Sequence, residues 1–510
     1  VTAPQPAVAA VADPSDVPWR RLDKRMLAIR PVHALFRAAI PLLVVLFGSR
    51  GASQEWIGLG GAGVVVFAGM AHWFTTRYRI GPTQVQLVTG LLRRRRLAVP
   101  IDRIRSVDVT ASLLHRLLGV AIVKVGTGRQ GGGRDDELAL DAVSAAEAVR
   151  LRDELLHRRD VASGHATEDS PAASTVPETV IARFDPSWLR YAPFTLSGLV
   201  TAGTIVGFGA NFANEARVDL GRLGPLRSAT QQLEQAPLAL AVTVGALLLL
   251  VLVSLLSVGG YLVAFWNFTL TRHPGGTLHV QRGLLTTRAV SLEERRLRGA
   301  EIGEPLLLRS AGGARATAIA TGLTGGRGRQ GGSELLLPPA PAREAHRVVA
   351  EVLRGSDPTV TPLRRHGPAA RRRRYIRALT AAIVVIAVLH ALHRWAGLPN
   401  WPWQLALLLL PVAVLLAADR YRNLGHALTP AHLVGRTGSV VRETYALRRD
   451  GIIGWRLHQT LFQRRAGLVT LVATTAGGRS AYEVPDVEEA VGIALADEAV
   501  PGLLAPFVVR

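Results

Sequence analysis

Apolar residues gather into six runs, at 32–48, 56–74, 191–213, 237–260, 375–393 and 401–418, and the runs come in pairs. Each is near the roughly 20 residues a helix needs to cross the hydrocarbon of a bilayer. The pattern therefore predicts six transmembrane helices in three hairpins. After each pair the period changes. Alternating apolar positions such as Val85, Leu87, Val107 and Val109 read as strands with one buried face, and glycines punctuate them as turns do. Each strand-rich stretch then runs into a helical pattern: from Ser144 to about His157, over 340–355, and from Asp486. Ser144 with Glu147, and Asp486 with Glu489, have the spacing of a capping box. The expected fold class is an α+β multi-pass membrane protein, each helix pair being followed by an antiparallel sheet or small barrel with a C-terminal helix.

Charge gives this arrangement a direction. Hydrophobic residues make 48% of the chain while its formal net charge is +22, so apolar and basic segments alternate along it. Arg20, Arg21, Lys24, Arg25 and Arg30 precede the first pair, Arg77 and Arg79 follow it, and Arg371 to Arg374 precede the third. The positive-inside tendency then places both termini and the three large segments in the cytoplasm. Only Lys24 and Lys124 among the 60 basic residues are lysines, a bias that reads as GC-rich coding rather than an arginine-specific site. The absence of cysteine excludes disulfides, zinc-thiolate centres and cysteine nucleophiles. Residues 1–31 are polar and then basic, and no cleaved signal peptide is expected.

An internal repeat organises the strand-rich segments. Gly90 is followed by Arg116 and Gly119, Gly283 by Arg309 and Gly312, and Gly438 by Arg464 and Gly467, all at the same two spacings without a gap. Ile104, Leu297 and Ile452 fall into the same register, as do Leu113, Leu306 and Leu461. Repeat one reads V-P-I-D-R-I-R-S-V at 99–107 and S-L-L-H-R-L-L-G-V at 112–120, and repeat three keeps Q-T-L-F-Q-R-R-A-G-L at 459–468. Repeat two diverges, reading L-E-E-R-R-L-R-G-A where the others have their strand motif.

With these motifs beside paired spans, nearly the whole chain resembles the bacterial pleckstrin-homology (PH) domain membrane proteins of the YdbS/YdbT-like family. The resemblance implies PH-like domains, each a bent sheet capped by a C-terminal helix. It brings no catalytic residue and no cofactor, and it suggests a bacterial cell membrane and a role in cell-envelope homeostasis. The domain organisation expected is a tail at 1–31, helix pairs at 32–74, 191–268 and 375–420, PH-like domains at 75–158, 269–355 and 421–500, linkers at 159–190 and 356–374, and a C-terminal tail at 501–510.

Candidate chemistry is sparse. The G-T-G-R-Q-G at 126–131 and G-R-G-R-Q-G at 326–331 lack the following helix that a dinucleotide site needs and read as hairpin loops. His390 and His393 share a helix face without a carboxylate in the span, favouring packing over metal ligation. Arg93, Arg94, Arg95 and Arg96 are candidate contacts for anionic lipid of the inner leaflet. No aromatic accompanies them over 90–107, which argues against nucleic acid. Arg371 to Arg374 are explained by orientation and attraction to anionic lipid. Arg116, Arg309 and Arg464, with the repeat glycines, read as structural positions whose arginine stems pack and whose guanidinium groups bond carbonyls near the turn. The expectation is a non-enzymatic membrane protein presenting three PH-like domains as lipid- or protein-binding and assembly modules. The alternative is a transporter or enzyme with its site between the helix pairs.

Overall fold

The computed structural model describes residues 18–25, 74–151 except 82, 91–93, 102, 103, 105, 127–137 and 149, then 178–195, 203, 207, 237–321 and 335–503. The spans expected at 32–48 and 56–74 and most of 191–213, together with Arg93 and both glycine-rich loops beyond Gly126, lie outside the described residues. So does the end of the first closing helix.

One order of elements recurs. The first segment runs β1 Arg20–Arg21, β2 Arg77–Ile80, β3 Gln84–Thr89, β4 Arg95–Pro100, β5 Ser106–Ala111, α1 Leu113–Leu117, β6 Val120–Gly126 and β7 Leu138–Ser144. The second runs β8 Thr179–Arg183, α2 Leu238–Phe265, β9 Thr269–His273, β10 Thr277–Arg282, β11 Thr287–Glu293, β12 Leu297–Pro305, α3 Leu306–Ser310, β13 Gly313–Ala320, β14 Leu335–Pro341 and α4 Ala342–Val352. The third runs β15 Arg364–Arg365, α5 Pro368–Ala396, α6 Trp401–Ala406, α7 Leu409–Arg422, β16 Gly425–Leu428, β17 His432–Thr437, β18 Val441–Arg448, β19 Ile452–His458, α8 Leu461–Arg465, β20 Leu468–Thr475, β21 Ala481–Glu488 and α9 Glu489–Ala499.

The repeat glycines sit where a side chain is costly. Gly90, Gly283 and Gly438 have φ of 107°, 110° and 98° in the turn before the fourth strand of each set, a region essentially reserved for glycine. Gly119, Gly312 and Gly467 end the three short helices in left-handed backbone, the usual conformation just past a helix C-terminus. Their N–H groups bond the carbonyls of Arg116, Arg309 and Arg464, and their own carbonyls accept from Ala145, Ala342 and Glu489 where each closing helix begins. A shared spacing in sequence thus corresponds to a shared hydrogen-bonded corner.

Two compact units result: Val1–Pro177 with Ser197–Phe268 and Gln281–Ser291, and Glu178–Leu196 with Thr269–Val280 and Leu292–Arg510. In the first, β1-β2-β3-β4 form an antiparallel sheet, and β5-β6-β7 continue through β5 into β11. Alternate residues of these strands, Val85, Val107, Val123 and Leu140 among them, are fully buried in one core with Ile104. In the second, β14-β13-β12-β18-β17-β16-β15 form one sheet and β19-β20-β21 another. Leu433, Leu447, Leu471 and Ala473 bury their side chains in a core closed by Leu495 and Ala496 of α9. Three described helices are long and apolar enough to span a membrane: Val242–Phe265 within α2, α5, and Trp401–Arg422, covering α6 and α7.

Several boundaries differ from those expected. The tail at 1–31 and the linkers at 159–190 and 356–374 contain β1, β8 and β15, each bonded to the first strand after the segment expected to cross the membrane: Arg20 faces Tyr78, Val180 faces Thr271, and Arg364 faces His426. Such two- to five-residue strands carry no periodicity of their own; their partners define them. Tyr191 and Ala192, expected to open a span, are buried in a 3-10 helix, Pro186–Phe194, because Tyr191 fills the space beside Gly313. The closing helices also start later than 340 and Asp486: β14 runs to Pro341 and β21 to Glu488. Ser144 does accept from the Glu147 N–H at 3.2 Å, but the Glu147 carboxylate turns to Arg20 at 2.7 Å.

Candidate anion-binding site

Asp486 is the residue on which the site is built. Opposite β20, Val469 faces Val487 while Leu471 faces Val484, so Pro485 and Asp486 form a bulge in β21. The last strands of the other repeats shift register at the corresponding point, around Asp141 and Ala142 in the first and Pro338 and Pro339 in the second, so only the third repeat has an aspartate at the second bulge position. The bulge holds Asp486 at φ 58° and completely buried, which fits the way bulges re-aim side chains. Three side chains engage it: Arg373 pairs with Oδ1, Gln463 Nε2 donates to Oδ1 at 2.9 Å, and Arg374 forms an ion pair with Oδ2 at 2.7 Å without a hydrogen bond to it. Gln463 is itself fixed by a capping box with Thr460 and by Thr470 Oγ1 at 2.8 Å. The run Arg371 to Arg374, expected to face lipid as a whole, is therefore divided. Arg373 and Arg374 turn inward because a buried carboxylate needs paired donors, while Arg371 and Arg372 stay exposed.

Beside this cluster opens a cleft of about 550 Å³ at the foot of the α5–α7 hairpin. Arg373, Arg374 and Arg377 enter it from α5, Arg420 from the last turn of α7, and Arg456 from β19; the acids on its walls are Glu443, Glu483 and Asp486. Five guanidinium groups thus face three carboxylates. Glu443 is also engaged by Arg479 at 2.8 Å. The Nε groups of Arg373 and Arg374 are buried donors without a hydrogen-bond acceptor. Guanidinium forks match the oxygens of phosphate or carboxylate, so the cleft can bind an anion by charge and geometry.

Two histidines lie behind the cleft. Both are buried, with His366 Nε2 and His426 Nδ1 at 3.0 Å and His366 Nδ1 at 3.1 Å from the Asp486 carbonyl. That carbonyl can only accept, which assigns Nδ1–H to His366 and makes its Nε2 the acceptor of Nδ1–H from His426. Burial lowers both pKa values; that of His426, lowered further by His366 and Arg364, falls to about 4.

The positions singled out in sequence do different things. Arg94, Arg95 and Arg96 are exposed at the start of β4 in the first unit. Arg116 donates to the Leu284 carbonyl at 2.7 Å. Arg309 reaches both oxygens of Asp419 on α7, at 3.0 and 3.1 Å. Arg464 is exposed on α8. His390 stacks edge-on against Trp403 at 5.0 Å, and His393 donates to the Leu398 carbonyl at 2.6 Å. Sequence reasoning missed Asp486 as an anchor because its spacing to Glu489 imitates a helix cap. The one available signal was a carboxylate flanked by apolar strand residues, Val484 and Val487.

The profile of the bacterial PH domain family matches residues 32–159 and 365–498. The chain is 22% identical over 423 residues, 80% of its length and 81% of the relative's, to the transmembrane protein YdbT of Bacillus subtilis strain 168. No solved structure matches it.

Proposed function

The chain belongs to the bacterial PH domain family, and from that premise we propose that it is a non-enzymatic multi-pass protein of the bacterial cell membrane. Its three PH-like domains act at the cytoplasmic face as binding and assembly modules in envelope homeostasis, and the third holds an anionic headgroup. The arginine cleft carries this reading. It lies at the N-terminal end of α5 and the C-terminal end of α7, where a membrane-spanning hairpin meets its soluble domain and lipid phosphates are at hand. Basic residues near an anionic surface gain about 1 kcal/mol each, and a cleft that also shapes the contact adds selectivity for the phosphate itself.

The paired strands support six crossings. A segment whose flanking strands hydrogen-bond to each other must return to the side it left, so it crosses an even number of times. That applies to 22–76 between β1 and β2, to 184–268 between β8 and β9, and to 366–424 between β15 and β16.

The test reconstitutes the full chain in nanodiscs of zwitterionic lipid containing a minority of phosphatidylglycerol and measures retained lipid by native mass spectrometry. Arg377→Gln with Arg420→Gln is expected to lower phosphatidylglycerol retention at least fivefold. Excess inorganic phosphate added as competitor separates a free anion from a headgroup: displacement by phosphate alone assigns the cleft to the soluble anion. Unchanged retention in the double variant rules out the headgroup role.

A further inference from the structure

The PH-like repeats join one another through strands, and both junctions use one register. In the first unit β5 pairs with β11, Ala111 facing Thr287 and Asp108 facing Val290. In the second unit β12 pairs with β18, Glu304 facing Arg442 and Gly299 facing Leu447. Ala111 stands 21 residues after its turn glycine, Gly90, and Thr287 stands 4 after Gly283; Glu304 stands 21 after Gly283 and Arg442 stands 4 after Gly438. The same two positions therefore face each other at both junctions. The strand after the turn glycine accepts, and the following strand of the preceding repeat donates.

Charge follows the same polarity. At the second junction Glu304 on the donor strand binds Arg442 on the acceptor strand through two contacts, at 2.5 and 2.6 Å. At the first, Asp108 on the donor strand lies diagonally across the ladder from Arg288 on the acceptor strand, within reach of a cross-strand pair. In these two pairs the donor strand brings the acid and the acceptor strand the base, while Glu301 and Glu443, an acid from each strand of the second junction, share Arg479.

Three repeats joined twice leave one acceptor strand and one donor strand. These are β4 and β19, each at the end of its sheet among the described residues. The acceptor edge is strongly basic, with Arg94, Arg95 and Arg96 at the positions that Thr287, Arg288 and Ala289 occupy in repeat two. The remaining donor, β19, carries no acid. Arg456 stands where Asp108 and Glu301 stand, and Gln459 where Glu304 stands. In the shared register a second copy would set Arg94, Arg95 and Arg96 against Gln459, His458 and Leu457, with Arg456 beside them, and like charges across a ladder oppose pairing.

We propose that the open edge of β4 is the docking site for an edge strand of another protein's PH-like domain, one carrying carboxylates at the positions of Asp108 and Glu304, paired in the register of the two internal junctions. A strand is favoured over a lipid surface here because β4 is the end strand of its sheet among the described residues, and the backbone of an edge strand is matched by another strand and not by a headgroup. The inference rests on the assembly half of the proposed function and not on the headgroup cleft.

Because the chain has no cysteine, single cysteines report the pairing directly. The probe is the full chain with Arg456→Glu, Gln459→Glu and Leu457→Cys; the target is the full chain with Arg96→Cys, both in nanodiscs of purely zwitterionic lipid. Position 96 faces position 457 in the shared register. The acidified probe is expected to give at least tenfold more intermolecular cross-link than Leu457→Cys alone, and several-fold less when Arg95→Cys replaces Arg96→Cys. A second arm leaves β19 basic and reverses the target, Arg94→Glu with Arg95→Glu, which should raise cross-linking to the Leu457→Cys probe. Equal yields from acidified and unmodified probes, or no cross-link in either arm, overturn the proposal. Abundant cross-linking between unmodified edges identifies a second copy as the occupant and also overturns it, as does an intramolecular cross-link in a chain carrying both cysteines. Without anionic lipid the assay is blind to headgroup binding, so its failure and that of the cleft are separable.

Discussion

At Gly438 an added Cβ would lie 1.9 Å from the Val441 carbonyl oxygen, on the strand that pairs with β12. At Gly312 nothing lies within 4 Å of the same atom, although φ is positive at both. The two glycines of the repeat therefore answer to different constraints. Gly312→Ala should cost about 1 kcal/mol for left-handed backbone. Gly438→Ala should cost at least about 2 kcal/mol, because strain is joined by a backbone collision. Thermal unfolding of the two variants in one detergent measures the difference, and equal losses would contradict this account. The histidine pair gives a pH signature. A group whose folded pKa is depressed binds more protons when unfolded, so its stability contribution is full above about 6.5 and declines as pH falls toward about 4, the value for His426. His426→Gln should flatten the fall in stability between pH 6.5 and 4 in the same melts, and an unchanged slope would assign the acid sensitivity elsewhere.

At the scale of elements, one bulge in β21 converts a strand end into an anchor for a membrane helix. Asp486→Ala leaves Arg373 and Arg374 without their carboxylate, and loss of one partner of a buried ion pair typically costs about 3–5 kcal/mol. Asp486→Asn keeps the shape and an acceptor oxygen and should cost less. Chemical denaturation that ranks Asn as the worse substitution would show that the charge is not what the arginines need. The strand periods and the turn glycines were legible because local sterics and burial fix them; the three short helices were not read, five residues being too few to show a helical period. The bulge was not: its two arginine partners lie 112 and 113 residues upstream, and Asp486 with Glu489 satisfies the local rule for a cap. β1, β8 and β15 were hidden for the same reason, being too short to have a period and defined only by strands at least 55 residues further along the chain.

For the whole molecule, the expected topology places the segment at 214–236 outside the cell and the turn after β20 inside. With no native cysteine, Ser228→Cys should react with a membrane-impermeant maleimide in intact cells, whereas Ala476→Cys should react only after lysis. Labelling of both in intact cells would invert or abolish the proposed orientation. The alternation of apolar and basic segments foretold a membrane protein of repeated domains. It could not foretell that successive repeats share sheets, since strand pairing between domains leaves no mark on composition.

The strands ahead of the membrane segments also impose an order on biogenesis. A ribosome makes β8 some 85 residues before β9, and β15 some 60 before β16, with the greasy hairpin in between. Until that hairpin has entered the bilayer and returned, the early strand has no partner and its sheet cannot close. Sheet closure in these repeats therefore waits on passage of the segment between the paired strands, and a chain stalled before that carries a strand edge without its native partner.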